Sequence, residues 1–160
     1  MQHPLPTLYR AVADVDRYQE FLPWCKASTV LERTDGQLAT EVTVGYSSMQ
    51  ASFSSKVELI PLKRIHAVSA PNEWIEHLSF TWDFGELSGQ RSCRVDLTLD
   101  FSLRNSEHTM MWELAQDKII AEYVRCFSQR CVTLEAEQQE DRSGASADDE
   151  THVRGASRRS

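Results

Sequence analysis

The chain has 160 residues, of which 41% are hydrophobic, which is enough for one domain with a substantial core and too little for two. Its formal net charge of −7 argues against nucleic acid as the main partner, because phosphate binding relies on clustered Lys and Arg side chains. No apolar run approaches the roughly 20 residues that a membrane-spanning helix requires. We therefore expect a soluble protein whose contact with a bilayer, if it has one, is peripheral.

The cysteines are irregularly spaced, with no CxxC pair and no His pair placed to complete a zinc site. They are Cys25, Cys93, Cys126 and Cys131. We interpret them as reduced thiols, and the sequence predicts neither a metal site nor a cofactor.

Two short helices are predicted at the start of the chain. Leu8, Val12 and Val15 recur at helical spacing, and Asp16 begins a second helix in the manner of a capping box. Pro23 ends that helix within the stretch YQEFLPWCK, in which several large apolar side chains surround the proline. So much aromatic surface at the end of a helix predicts either a plug for one end of the core or the mouth of a binding site.

Period-two alternation follows for most of the chain and predicts antiparallel strands with one apolar face. Asp35-Gly36 is the turn before the first clear strand. The strong patterns span residues 38–46, 51–59, 74–84 and 93–103, and weaker ones span 27–34 and 63–69. The count is about six strands, and their apolar face requires a cover.

That cover is predicted to be one long helix. Residues 106–134 contain no Gly or Pro and carry apolar side chains at helical spacing, including Trp112, Tyr123 and Phe127. From residue 135 to 160 charged residues, Ser, Ala and Gly dominate, which predicts a disordered tail. The domain is therefore predicted to span 1–134, with an α+β helix-grip fold in which a curved antiparallel sheet surrounds the C-terminal helix.

Four stretches carry a resemblance to a known family: LYRAVADVDRYQEFLPWCKASTVL, VTVGY, EHLSFTWDF and CRVDLTLDFSL. They are similar to the coenzyme Q-binding proteins of the START-domain superfamily over residues 8 to 134. The pattern Y-x-x-F-x-P-W-C-K, from Tyr18 to Lys26, is the most specific part. The resemblance implies a protein that binds ubiquinone, or a related polyprenyl lipid, in an apolar cavity. It also implies a lipid carrier that supports respiratory electron transport and ubiquinone biosynthesis, rather than an enzyme.

The resemblance further implies a location on the matrix side of the mitochondrial inner membrane, with peripheral membrane contact. Respiratory-chain or quinone-biosynthesis proteins are its implied partners, and nucleic acid is not expected. Family members have a first strand before the opening helix, where this sequence has only MQHPLP. We therefore expect a sheet with its first strand missing, an unpaired edge and a tendency to self-associate.

A set of inward-facing residues, together with the residues around Pro23, is expected to line the quinone cavity and its mouth. They are Phe21, Leu22, Pro23, Trp24, Val44, Tyr46, Phe53, Leu78, Trp82, Phe101, Ile119 and Tyr123. Each of them also has a simpler interpretation as a core residue. Glu76 shares its parity with Leu78, so its carboxyl group either meets the quinone headgroup or reaches solvent near the start of the strand.

Two other functions remain as alternatives. Polyketide cyclases and hydrolase-like enzymes of the same superfamily need convergent acid and base groups, and Glu76 has no second partner at matching parity. Ribosome-associated proteins are also relatives of this group. The acidic composition and the lack of aromatic residues among the Lys and Arg residues argue against contact with RNA.

Overall fold

The computed structural model of the protein describes residues 2–46, 49–88 and 92–156, and the side chains of these residues except Tyr46, Met49 and 146–156. Helices α1 (Leu5–Ala13) and α2 (Tyr18–Phe21) come first, with a 3₁₀ turn at Val15–Arg17 between them. The strands are β1 (Cys25–Thr34), β2 (Gln37–Tyr46), β3 (Met49–Ile60), β4 (Arg64–Ser69), β5 (Ile75–Glu86) and β6 (Cys93–Leu103). Helix α3 (Ser106–Ala156) ends the described chain.

The six strands form one antiparallel sheet in which every strand pairs with its neighbour in the sequence. This confirms the predicted α+β architecture and the predicted strand count. The turn between β1 and β2 is Asp35-Gly36, as predicted, and Gly36 has a φ of 74°, where an L side chain would be strained. Among the described residues, β1 and β6 are the two edge strands.

The two faces of the sheet differ as the alternation predicts. On the inner face, Ile65 of β4 lies opposite Trp82 of β5, and both are buried. On the outer face, Arg64 Nε donates to Asp83 Oδ1 at 2.6 Å. The sheet therefore has one apolar face and one polar face.

Asn105 caps the start of helix α3, because its side-chain Oδ1 accepts a hydrogen bond from the backbone N–H of Glu107 at 2.9 Å. The helix extends through Ala156, beyond the predicted end at 134. The segment predicted as a disordered tail is therefore helical in the structure as far as Ala156. The low hydrophobicity of this segment agrees with its exposure, since residues 136–145 do not pack against the rest of the described chain. Helix propensity does not require an apolar face, because Ala, Glu, Gln and Arg are good helix formers. The domain boundary at residue 134 remains a prediction.

The tightest packing lies where α1 meets the middle of α3 and the end of the sheet. The largest fully buried side chains are Phe127, Leu8, Leu134, Val12, Cys93 and Cys131. We call this region the closed end. His3 also joins it, because its ring nitrogens bond to Glu135 Oε1 at 2.9 Å and Ser128 Oγ at 2.8 Å. The N-terminal segment is thereby held against α3.

None of the helices in the described ranges combines the length and the apolar character needed to cross a bilayer. The same residues contain no group of three or more His, Cys, Asp or Glu side chains arranged to hold a metal ion.

Candidate functional site

The first part of α3 covers the sheet incompletely. No residue between 106 and 125 is buried, whereas Cys126, Phe127, Cys131 and Leu134 are. The inward residues of the sheet here are only half-buried; they include Val42, Phe53, Leu78, Phe80, Leu97, Leu99 and Phe101. Close packing would leave such side chains almost inaccessible. An apolar space therefore remains between the sheet and the first part of α3, and we call this region the open end.

Tyr123 marks the boundary between the two ends. Its ring lies 4.9 Å from that of Phe127, 5.9 Å from that of Trp82 and 6.0 Å from that of Trp24, measured between centroids. Phe80 stacks on it at 6.4 Å. These rings form a continuous aromatic cluster that ends the open space on one side.

The stretch YQEFLPWCK serves two purposes. Leu22 is buried, and the Phe21 ring contacts that of Phe127 edge to face at 5.1 Å, with the Arg130 guanidinium 5.5 Å above it. Pro23 is exposed, and Trp24 is half-buried against Tyr123. Leu22 and Phe21 thus pack into the core, whereas Pro23 lies at the surface and Trp24 forms the partly accessible edge of the aromatic cluster.

The remaining predicted lining residues lie on the sheet and on α3. Leu78 pairs with Phe101 across β5 and β6, and both face the open end. Val44 and Phe53 are half-buried on β2 and β3. Ile119 on α3 is 41% exposed. The side chain of Tyr46 lies outside the described residues.

The parity argument for Glu76 is wrong. A β-bulge between Ile75 and His77 shifts the register of β5, so Glu76 does not share the inward face of Leu78. Its carboxylate is exposed and accepts a hydrogen bond from the Ser102 hydroxyl at 3.3 Å. The structure therefore places Glu76 on the outer face, away from the apolar space.

Several residues of the open end were missed as site residues. Trp112 packs edge to face on Phe101 at 5.3 Å, and Trp74 lies 5.4 Å from the His108 ring. Phe80 is part of the aromatic cluster. Phe80 and Trp112 lie within the apolar patterns that predicted the strand and the helix, so the same periodicity identifies them. Trp74 precedes both β5 and the bulge, so the alternation of that strand does not identify it.

The space has no charge of its own. The half-buried inward residues of the sheet at the open end are all apolar, and the Ser55 and Ser69 hydroxyls on the same face bond to each other at 2.8 Å. Two charged strand residues share the inner face in register, Arg33 opposite Leu38 and Glu86 opposite Cys93, and both are exposed near the ends of their strands. Burial raises the pKa of Tyr123, so its phenol stays neutral. The site therefore suits an apolar, uncharged ligand.

Comparison with known proteins gives a family and several relatives. Residues 1–128 match the family described as polyketide cyclase / dehydrase and lipid transport. A coenzyme Q-binding protein, COQ10 homolog B, from Xenopus laevis is 30% identical over 125 residues, which are 77% of this chain and 51% of that protein. The chain thus spans about half the length of the frog protein. A ribosome association toxin, RatA, from Pseudomonas aeruginosa is 36% identical over 104 residues, covering 64% of this chain and 71% of that one.

Among solved structures, a START superfamily protein from Mycobacterium smegmatis superposes with a TM-score of 0.73 at 16% identity. The superposition covers 84% of this chain and 93% of that one. At this identity the likeness bears on the fold alone, and it agrees with a six-stranded sheet around a long C-terminal helix. The chain therefore belongs to the polyketide cyclase, dehydrase and lipid transport family, with a START-like fold and coenzyme Q-binding proteins among its relatives.

Proposed function

We propose that this domain binds coenzyme Q in the apolar space of the open end and acts as a lipid carrier. In this role it supports respiratory electron transport and ubiquinone biosynthesis. The observation that carries the proposal is the set of half-buried apolar side chains beneath a helix segment that has no buried residue of its own. The similarity to a coenzyme Q-binding protein adds the class of ligand.

The physical need for such a carrier follows from the ligand. Each buried CH₂ group contributes about 0.8 kcal/mol, so a polyprenyl tail has a negligible free concentration in water. Movement between a membrane and an enzyme then requires a covered, apolar route. An uncharged space lined by Leu78, Leu99 and Phe101 provides surface of the right kind.

We place the exchange of ligand at a membrane surface. Near the start of α3, Met110, Met111 and Leu114 are 65%, 68% and 89% exposed, next to the open end. Large apolar side chains at this exposure suit peripheral contact with lipid. The relative from frog is named as mitochondrial, which supports a mitochondrial location, and within it we propose the matrix side of the inner membrane as the site of action. Respiratory-chain or quinone-biosynthesis proteins are the proposed partners.

Mass spectrometry of organic extracts from the purified protein tests the proposal. We expect ubiquinone in the extract of the unmodified protein. Leu99→Asp, on the inner face of β6, should abolish its recovery, because a carboxylate in the apolar space opposes an apolar ligand. The matched control is Thr98→Asp, which adds the same charge on the outer face of the same strand and should retain the quinone.

The alternatives give different results. If the extract contains a different lipid, and Leu99→Asp abolishes the recovery of that lipid, the protein is a general lipid-transfer protein and not a quinone carrier. Empty extracts, together with no binding of added short-tail ubiquinone, contradict the proposal.

Association with the ribosome is a second candidate. The 36% identity to a ribosome association toxin favours it, whereas the acidic composition opposes contact with RNA. Co-sedimentation with ribosomes over a range of salt concentrations tests it. Binding that weakens steeply with salt supports this candidate, and absence of co-sedimentation at low salt rejects it.

We do not propose an enzyme. The family description includes cyclases and dehydrases, whose chemistry requires acid and base groups that converge on a substrate. On the inward faces of the described strands no such pair is present, and Glu76 lies outside.

A further inference from the structure

Two indole nitrogens at the open end have no hydrogen-bond partner. In the part of the chain that the structure describes, Nε1 of Trp74 and Nε1 of Trp112 are the buried side-chain polar atoms left unpaired. An indole N–H can only donate a hydrogen bond. A buried donor without an acceptor is unfavourable by about 1–3 kcal/mol, so a pair of them in one region requires an explanation.

One indole packs against the first turns of α3 and the other belongs to them. The Trp74 ring packs on His108, and the Trp112 ring packs on Phe101 at the far end of β6. His108 and Trp112 are four residues apart, so they lie on the same face of the helix. The two indole rings therefore lie in one region, at the opposite side of the apolar space from Tyr123.

The segments that carry the indoles are firmly held. The Trp74 backbone N–H donates to Asn72 Oδ1 at 2.8 Å, and the Trp74 carbonyl accepts from the Arg104 backbone N–H at 3.1 Å. Arg104 Nε also donates to the Asn72 carbonyl at 2.6 Å. On the helix side, the cap provided by Asn105 fixes the start of α3. The backbone around both indoles is thus fixed, whereas the indole nitrogens themselves have almost no accessible surface, so a ligand reaches them once a neighbouring side chain has moved aside.

We propose that the indole N–H groups of Trp74 and Trp112 form the polar end of the ligand site and donate hydrogen bonds to carbonyl oxygens of the lipid headgroup. This inference rests on the proposed function and names the headgroup position. A quinone ring has two carbonyl acceptors and no donor, which is complementary to two donors that have no acceptor. The tail then follows the half-buried residues of the inner face, among them Leu99 and Phe80, toward Tyr123. An ester carbonyl of a different lipid has the same acceptor chemistry, and the experiment separates the two sources.

Nuclear magnetic resonance of the indole N–H groups is the most direct test. The chain has four tryptophans, so the unmodified protein gives four such signals. Titration with decylubiquinone should shift the signals of Trp74 and Trp112 downfield, as expected for N–H groups that gain an acceptor. The signals of Trp24 and Trp82, which lie at the Tyr123 end of the space, report contact with the tail and should change with decylubiquinone and decylbenzene alike. Decylbenzene, which has no carbonyl, should occupy the space without producing these downfield shifts, and methyl laurate tests the ester carbonyl.

Trp74→Phe and Trp112→Phe remove the N–H and keep an aromatic ring. Each should weaken binding of decylubiquinone about three- to tenfold, the equivalent of one hydrogen bond, and leave binding of decylbenzene within about twofold. The ligand-free variants should melt at the same temperature or higher, because an unpaired buried donor has been removed. A purely structural role predicts lower melting temperatures and equal losses for both ligands.

The outcomes separate this inference from the proposed function. If decylubiquinone binds and neither indole signal shifts downfield, the headgroup site lies elsewhere and only this inference fails. If the shifts and the variant effects occur with methyl laurate alone, the donors recognise an ester lipid and the assignment to quinone fails. If none of the three ligands binds, both proposals fail. The titration of the unmodified protein decides the question even if a variant does not fold.

Discussion

The closed end and the open end are built from the same kinds of residue, yet they are packed differently. At the closed end Phe127 is 0% exposed and touches the rings of Tyr18, Phe21, Trp82 and Tyr123. At the open end Trp112 touches Phe101 while the neighbouring Leu114 is 89% exposed. One helix thus forms a core with its middle and a loosely covered space with its beginning.

This difference separates stability from binding along a single helix. Side chains of the closed end are surrounded by protein and contribute to the free energy of folding. Side chains of the open end retain accessible surface that a ligand or a membrane can still bury. Substitutions along α3 should therefore affect two different measurements.

The largest effect on stability is expected for Phe127→Ala. Removing this ring leaves a cavity among four aromatic side chains and should lower the free energy of unfolding by about 3–5 kcal/mol. Chemical denaturation measures it. Met110→Ala is the control on the same helix, and at 65% exposure it should change stability by less than about 0.5 kcal/mol. Equal losses for the two variants would remove the distinction between the ends.

Trp24→Ala should have an intermediate effect on stability and a large effect on binding. Its indole is half-buried and stacks on Tyr123, a type of contact that contributes about 0.5–1.5 kcal/mol. We expect the melting transition to persist while quinone recovery and vesicle binding fall, as for a residue that gates the mouth. A loss of about 3–5 kcal/mol would instead identify Trp24 as a core plug.

Replacement of Met110, Met111 and Leu114 by Ser should leave the melting temperature nearly unchanged, because all three side chains are mostly exposed. Co-sedimentation with vesicles should decrease, since the apolar contact with lipid is lost. Val132→Ser is the matched control, because it removes an apolar side chain that is 49% exposed farther along the same helix. If the control weakens vesicle binding as strongly, the open end is not the membrane-facing region.

The smallest effect on stability is expected for substitution of Glu20. Its carboxylate accepts a hydrogen bond from Arg17 Nη1 at 2.7 Å and lies 3.5 Å from Arg130 Nη2. The hydrogen bond with Arg17 lowers the pKa of Glu20. Its contribution to stability is therefore present above the ordinary pKa of the carboxyl group and is lost as the pH falls through its lowered pKa. Glu20→Gln should melt slightly below the unmodified protein at about pH 7 and at the same temperature at about pH 2. A difference that grows on acidification would contradict this sign.

Much of the fold follows from the sequence because its causes are local. The alternation from Cys93 to Leu103 and the Asp35-Gly36 turn predict a strand and a hairpin directly. The bulge between Ile75 and His77 could not be predicted, since one extra residue in a strand leaves the composition of the strand unchanged. The bulge moves Glu76 to the opposite face from the one that the alternation predicts. The helical extent of residues 135–156 was also missed, because an unpacked segment and an unfolded one have similar compositions.

The candidate site was predicted only in part, for a physical reason. Periodicity identifies which side chains face inward, and it selected Leu78, Trp82 and Phe101 correctly as inward residues. It cannot distinguish a filled interior from an unfilled one, because that depends on the distance between the helix and the sheet. The lack of a hydrogen-bond partner for the indole nitrogens of Trp74 and Trp112 cannot be predicted from the sequence, because it depends on where every neighbouring acceptor lies in the folded structure.

The continuity of α3 makes it a lever. Its fulcrum is the packed segment from Cys126 to Leu134, and Met110 lies about 25 Å from Phe127 along the axis at 1.5 Å per residue. A tilt of only about 5° at the fulcrum then displaces the first turns by about 2 Å. On the other arm, residues 136–145 are exposed and continue the same helix. A partner that pulls on this arm would widen or narrow the apolar space without touching it.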